Sequence, residues 1–481
     1  MILTGLIILF GIVMRLVFFL QNRNLIIDEA NVARNIYERP FTGLLHPLNY
    51  EQYAGPLFLW IIKAFTLAGG YSEYAFRAFS LLCGILSLFL LLDILKLISN
   101  VRSYWYPLFI FANAFIFLHY STELKQYMSD VLTTLMLIWL AMKVDVMSKS
   151  NTKFVLLWSI VGSAAIWLSM PSVFTLAAVG IYYLYNCLQQ KNYIKIIPVT
   201  ITGTLWIAQF VFYYLAILKP QANTEYLQNF HKDYFLFLLP KNGGEVLHDY
   251  RVYRELIIEL GKGDWVRRLN SVLLILGIVL FFMKDSAKAL LFLVPIVGAV
   301  IAAGFNQYSL LQRVALFMLP LFLVFIGYGL DVILSKKITV VNILVLLAVA
   351  GLVSKENSLY LIKNPRKFET ITESLQFLKD HNIDGEETYI HLGARPAFLY
   401  YTQIHPAHDK WARYRTAHLP GWGTSYSNIC SGVKGRVAFI FTSIDPQTLS
   451  DYKEMFDNRL KKVATKEVFY RRCFAYIYEH K

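Results

Sequence analysis

Asp28 and Glu29 stand side by side just past a 20-residue apolar run, and Glu51, Arg77, Glu123, Lys125, Tyr127 and Arg313 flank other apolar runs farther along the chain. Ionisable groups in or at the ends of membrane-length apolar stretches are costly to keep, which makes them functional candidates by default. A carboxylate there can take a proton or hold hydroxyls, and a guanidinium or ammonium can neutralise phosphate. Spacing sorts them. Neighbours at i and i+1 on a helix point in different directions, so Asp28 and Glu29 cannot both aim at one centre; one works, and the other supports it or faces water. Glu123, Tyr127 and Asp130 fall at i, i+4 and i+7, on one helical stripe.

The elements that must position these groups are read from hydropathy. Of 481 residues, 56% are hydrophobic and 16% charged, against about a quarter charged in soluble globular proteins. The mean hydropathy is +0.47. This is the composition of a polytopic α-helical membrane protein. The net charge of +14 does not gather in one stripe, so no nucleic-acid partner is expected. Apolar stretches near 1–20, 74–98, 104–120, 127–147, 153–169, 171–188, 195–218, 268–283, 287–304, 308–333 and 337–353 predict about eleven spans in the lipid bilayer. The run at 56–70 is short, holds Lys63 in its middle and ends in Gly69-Gly70, which suits a helix lying in the interface.

Charge fixes the predicted sidedness. With the N-terminus cytoplasmic, the short inner loops carry Lys96 and Arg102; Lys143, Lys149 and Lys153; Lys191 and Lys195; Lys284 and Lys288; Lys336 and Lys337. That is the positive-inside bias, and counting 56–70 as a span would turn these loops outward. Residues 1–353 are thus read as a membrane domain with outer loops 21–73 and 219–267, in a cell membrane. Residues 354–481 are read as an extracytoplasmic α/β domain, with helices near 366–380, at 394–403 and near 446–459, and strands at ETYIHLG, RVAFIFTS, KKVATKEVFY and RCFAYIYEH. The candidates then collect on the outer face.

Ordinary readings stand beside these. Glu29 fits a solvated interface acid, and Arg15 a side chain snorkelling to headgroups. Arg77 and Arg313 fit helix-end caps or lipid-phosphate ligands, and Asp130 a structural pair with a neighbouring span. Cys83, Cys187, Cys430 and Cys473 show no zinc spacing; Cys430 and Cys473 share the tail and could pair in an oxidising compartment. His405, His408 and Asp409 lack a matching metal-ligand set.

Several segments together resemble a known family. An acidic pair after the first span is followed by Tyr50-Glu51-x-x-x-x-Pro56, leading into the interfacial helix. GGYSEYAFRAFSLLCGIL resembles a G-x-S-E-x-x-x-R entry to the second span. YSTELKQYMSDVLTTLMLIWL is similar to an S-x-E-x-R-x-Y segment with Lys125 where Arg is usual, and QRVALFMLPLFLVFIGYGL looks like a late span. These features resemble the GT-C glycosyltransferases, nearest to the protein O-mannosyltransferases, the aminoarabinose transferases and the lipopolysaccharide sugar transferases. The resemblance covers residues 1–180 well, 305–330 loosely and the tail hardly at all. Where the aminoarabinose enzymes follow their Glu with Lys and a second Pro, Gln52, Tyr53 and Ala54 stand here, so the resemblance does not carry that specificity with it.

The resemblance implies transfer of a sugar from a polyprenyl-phosphate donor to an acceptor hydroxyl on a glycolipid, polysaccharide or protein, outside the membrane and with inversion. It implies that Asp28 is the base on the acceptor, that Glu51 and Glu123 hold hydroxyls, and that Arg77, Lys125 or Arg313 stabilises the leaving phosphate, with Glu29 and Tyr127 also at the site. No cofactor is required, although clustered carboxylates would suit a hard divalent cation. The chief competitor is a lipid or glycolipid transporter or flippase, which should show an inverted repeat or paired broken helices. A non-catalytic scaffold would have no need of opposite charges on one face. Neither competitor's signature is found in the sequence.

Overall fold

The structure is a computed structural model that describes residues 2–98, 104–222, 225–334, 347, 349, 351, 362, 368–421, 423–468 and 473–481. The span expected at 337–353 lies almost wholly outside the described residues. In chain order the main helices are α1 (Ile2–Leu20), α2 (Ile27–Glu38), α3 (Pro56–Gly69), α4 (Glu73–Ile98), α5 (Trp105–Asn113), α6 (Phe115–Tyr120), α7 (Tyr127–Lys143), α8 (Asn151–Leu168), α9 (Ser172–Gln189), α10 (Ile196–Tyr213), α11 (Gly243–Ile258), α12 (Asp264–Lys284), α13 (Ser286–Gly304) and α14 (Met318–Leu334). Among the described residues, six helical segments are long and apolar enough to cross a membrane: α1, α4, α8, Tyr193–Leu218, α12 and α13. The protein is a polytopic helical membrane protein.

Three apolar stretches fold differently from a plain span, each for a local reason. The third expected span breaks at Ala114, whose ψ is 132°, into α5 and α6. Such a break leaves carbonyls unpaired in an apolar interior. Arg15 donates to two of them. It does not snorkel; it is fully buried and donates to Phe111 O at 3.1 Å, Ala112 O at 3.3 Å and Gly11 O at 3.0 Å.

The stretch before α14 is the second case. Residues 305–317 are not helical, so Arg313 sits in an irregular segment and not at the start of a helix. Leu310 N donates to Tyr234 O (3.1 Å), and the Gln312 amide donates to Glu255 (2.7 Å). The loop between α10 and α12 therefore completes this backbone. Irregular backbone at membrane depth survives where protein encloses it or a cavity is lined by it.

The third is α3. At 14 residues it is about 21 Å long, short of a bilayer's roughly 30 Å core. Lys63 does not enter lipid: its ammonium donates to Ile36 O (2.6 Å) and Arg39 O (2.7 Å), closing the C-terminal end of α2. Elsewhere close packing relies on small residues. A Cβ built on Gly277 would lie 1.9 Å from Phe325 O, and one on Gly329 would lie 2.4 Å from Leu273 O, so these two glycines let α12 and α14 meet backbone to backbone.

The tail forms strands and helices close to the expected places, but the first strand keeps only three residues. The helix expected at 394–403 is α-helical only over Arg395–Leu399, and a helix at Tyr426–Gly432 is not among those expected. Helix α15 (Ile371–Asp380) precedes β1 (Thr388–Ile390), β2 (Arg436–Thr442), α16 (Pro446–Arg459), β3 (Leu460–Val468) and β4 (Cys473–His480). The sheet order is β1-β2-β4-β3, with β1 parallel to β2 and the other pairs antiparallel. Cys430 and Cys473 are both buried and free. One face of the sheet shares a core with α2 and α3: Ile371, Leu375, Ile390 and Ile440 join Ala30, Ala33, Phe58 and Ile62. Tail and membrane part are thus welded at one end of the helix bundle.

Candidate functional site

At that end the chain brings together the end of α1, the start of α4, the turn between α6 and α7, and the irregular stretch before α14. Helix α2 lies across them and carries Asp28 and Glu29 in its first turn. The two acids part company at once.

Glu29 is fully buried and fully employed. Its carboxylate receives Arg77 Nε (2.9 Å) and Nη2 (2.8 Å), Arg23 Nη1 (2.5 Å), Leu124 N (2.8 Å) and Ile26 N (3.2 Å). Burial pushes its carboxyl up, but Arg23 and Arg77 reverse this and hold it well below the usual carboxylate range. Arg77 also donates to Arg23 O (2.7 Å) and Asn24 O (3.2 Å). Glu29 and Arg77 therefore form a hub tying the α1–α2 link to α4 and to the α6–α7 turn. Glu123 joins its rim, 2.7 Å from His119 Nε2 and 3.6 Å from Arg23. Tyr127 is buried and packs edge-to-face on Tyr120, with ring centres 5.1 Å apart.

Asp28 points the other way. Its side chain keeps 27% of its exposure, and Arg313, at 24%, reaches it with an Nη1–Oδ2 distance of 3.3 Å. The Lys125 ammonium, then Arg313 and a hydrogen bond from Gln52, hold the Asp28 carboxyl below its ordinary value despite burial. Lys125 is itself buried and donates to Gln52 Oε1 (2.6 Å); burial pulls its ammonium below the usual lysine range, against the Asp28 carboxylate, which stabilises the charge. The Arg313 Nε is buried without a partner, and its guanidinium lies over the Phe230 ring at 5.5 Å. An acid, two cations and an amide thus share a partly open place, with donor capacity left over. Such a set can polarise a hydroxyl and hold an anion beside it.

Glu51 does not enter this group. It is exposed, with φ +53°, and follows Tyr50 at φ +65°. Two successive left-handed residues turn Glu51 outward and Gln52 inward, where Gln52 meets Lys125 and Asp28. The turn is held from α2: Arg34 donates to the Tyr50 hydroxyl (2.6 Å), and Asn35 exchanges bonds with Asn49 N (2.9 Å) and Asn49 O (3.1 Å). Gln52, Arg23 and His119 are site residues that the sequence reading passed over. The one signal available was position, since Gln52 adjoins Glu51. Asp130 is buried one turn into α7, with Oδ1 unpaired. Among the described residues no group of three or more His, Cys, Asp or Glu is placed to share a metal ion.

No family model and no curated protein sequence matches the chain. Solved structures do. The chain superposes on ArnT from Cupriavidus metallidurans in the apo state with a TM-score of 0.53 at 13% identity, covering 98% of each chain. The form of that protein bound to undecaprenyl phosphate gives 0.52 at 12% identity, again over 98% of each chain. The chain shares the fold of ArnT. The likeness runs through the tail as well as the membrane helices, whereas the motifs in the sequence spoke mainly for residues 1–180.

Proposed function

We propose that this protein is an inverting membrane glycosyltransferase that moves a sugar from a polyprenyl-phosphate donor to an acceptor hydroxyl. Its working end would face the extracytoplasmic side, with residues 1–353 as the catalytic membrane domain and 354–481 as an outer domain. The observation that carries the reading is the Asp28–Lys125–Arg313 group: an ionised carboxylate beside two cations in a partly open place at one end of a GT-C bundle. The ArnT structure with undecaprenyl phosphate supports a lipid-phosphate donor for this fold.

In this mechanism Asp28 takes the proton of the acceptor hydroxyl. The oxygen attacks the anomeric carbon from the face opposite the phosphate, so the new glycosidic bond forms as the carbon–phosphate oxygen bond breaks. The departing phosphate gains charge, which Arg313 and Lys125 neutralise. Arg77 is not given that role, because four of its five N–H groups go to Glu29 and two carbonyls. Gln52 holds Lys125 toward Asp28. Among the described residues no three acids are placed to share a divalent cation. The decisive test is transfer from polyprenyl-phosphate sugars by the purified full chain, read by mass analysis of the acceptor glycan. Loss of transfer in Asp28→Asn, with the protein still folded and extractable, supports the reading; undiminished transfer removes Asp28 from it.

A further inference from the structure

The four residues that lead into Asp28 are held largely by the tail. Asn24 Oδ1 accepts from Thr372 N (3.2 Å) and from its hydroxyl (3.0 Å). Leu25 N donates to the Tyr401 hydroxyl (3.0 Å), which in turn donates to Glu73 at the start of α4 (2.8 Å). Ile27 N donates to Glu369 Oε2 at 2.7 Å. Helix α2 begins at Ile27, and Ile26, its cap position, has no side chain able to accept a bond. The first turn of any helix exposes amides that need acceptors. Here one acceptor is Glu29 within the helix, and the other comes from the tail, more than three hundred residues away in sequence.

Glu369 is built to reach this amide. It is buried at 5% exposure, and its φ of +46° is a backbone conformation that costs a non-glycine residue about 1–3 kcal/mol. Its other oxygen accepts from the Ser443 hydroxyl, just after β2, and Ser443 also has φ +46°. Burial raises the Glu369 carboxyl to about 7 against the pull of the Ser443 and Ile27 donors, with the charges of Asp28 and Glu29 adding to the rise. A carboxyl placed beside two other acids in this way has a location that its own electrostatics oppose. What the location achieves is a bond to the amide immediately before Asp28.

We propose that Glu369 is a positioning residue for Asp28: from the tail it fixes the first turn of α2 and so the direction in which the Asp28 carboxylate points. In its catalytic part this rests on the proposed transfer reaction. The tail domain is then not a cover over a finished site but the member that aims its base. Misplacement of a reacting group by about 1 Å can lower turnover by about 100-fold without touching substrate binding.

The experiment uses the full-length protein in detergent with Glu369→Ala, Glu369→Gln and Ser443→Ala. Three quantities are read: turnover with a polyprenyl-phosphate sugar, affinity for undecaprenyl phosphate, and amide exchange over residues 24–31. Glu369→Ala is expected to lower turnover by about 10- to 100-fold at unchanged affinity and to speed exchange. Glu369→Gln can still accept from Ile27 and donate to Ser443, so it restores both, and Ser443→Ala gives a smaller loss. Wild-type turnover or unchanged exchange in Glu369→Ala overturns the proposal. So does a parallel fall in turnover and affinity, which marks a plain structural cap. If Glu369→Ala does not fold, Ser443→Ala decides by the same split. If the wild type transfers sugar from no such donor, the functional reading fails by itself, and the exchange data still decide whether Glu369 fixes the first turn of α2.

Discussion

Asp28 and Glu29 are neighbours on one helix, share one charge and differ in almost everything else. Glu29 has no exposure and five donors; Asp28 keeps about a quarter of its exposure and sits beside cations with capacity to spare. The contrast separates a charge that holds the fold from a charge that can do chemistry. A buried carboxylate surrounded by donors has nothing left for a substrate, however perturbed it is. The two substitutions Asp28→Asn and Glu29→Gln pull the regions apart. Asp28→Asn should lower transfer by about 100- to 10,000-fold, the usual range for a lost general base, with the thermal midpoint unchanged. Glu29→Gln leaves Arg77 buried without its counter-charge and Arg23 with only Glu123, 3.6 Å away. It should cost about 3–5 kcal/mol of stability, read as lost yield of folded protein. Equal stability of the two variants would abolish the distinction.

The cations divide in the same way. Arg77 belongs to the hub, while Arg313 carries an unpaired buried Nε at the open edge. Arg313→Ala should lower turnover by about 100- to 1,000-fold, the size of a lost electrostatic donor, and weaken binding of undecaprenyl phosphate. Arg77→Ala should act through stability, in parallel with Glu29→Gln. A folded Arg77→Ala protein that had lost donor binding alone would move Arg77 to the working edge and contradict its assignment to the hub.

How much of this was legible in sequence follows from the physics of each residue. Charges beside apolar runs stand out because lipid penalises them, so Asp28, Glu29, Arg77, Glu123, Lys125 and Arg313 were visible as one gathering. The tail strands were visible because apolar residues crowd 388–390, 436–442 and 473–480. Gln52 was not, because it is neutral and its inward turn depends on positive φ at Tyr50 and Glu51, which side-chain types do not announce. Nor was Glu369, since its bond to Ile27 spans 342 residues and only the folded tail brings it there. The break at Ala114 was hidden for a related reason: the sequence around it reads as unbroken apolar helix, and the group that makes the break tolerable is Arg15 on another helix.

Acidity offers a subtler test of the open edge. Lys125 and Arg313 hold the Asp28 carboxyl below its ordinary value, so the base form persists to lower pH than for a free aspartate. As pH falls, activity should stay level through the ordinary aspartate range and drop only when Asp28 takes a proton below it. Lys125→Gln removes the largest of those influences, and the acid limb of the pH profile should move upward. Glu29→Gln, where enough folded protein survives, should move it slightly downward, because the Glu29 charge raises Asp28. A limb that ignores Lys125 would mean that another group titrates there.

The smallest expected effect separates two adjacent residues again. Gln52 accepts from Lys125 and also bonds Asp28, whereas Glu51 is exposed. Gln52→Ala removes a hydrogen bond to a charged group, and turnover should fall about 10-fold, the equivalent of roughly 1.5 kcal/mol. Glu51→Gln should change turnover by less than about 2-fold, as exposed substitutions usually do. The pair matters because type alone favours Glu51, while backbone geometry favours Gln52. A large loss in Glu51→Gln with a silent Gln52→Ala would mean that the 49–52 turn reverses when substrate binds, and that the edge defined by Asp28, Lys125 and Arg313 gains a second acid during turnover.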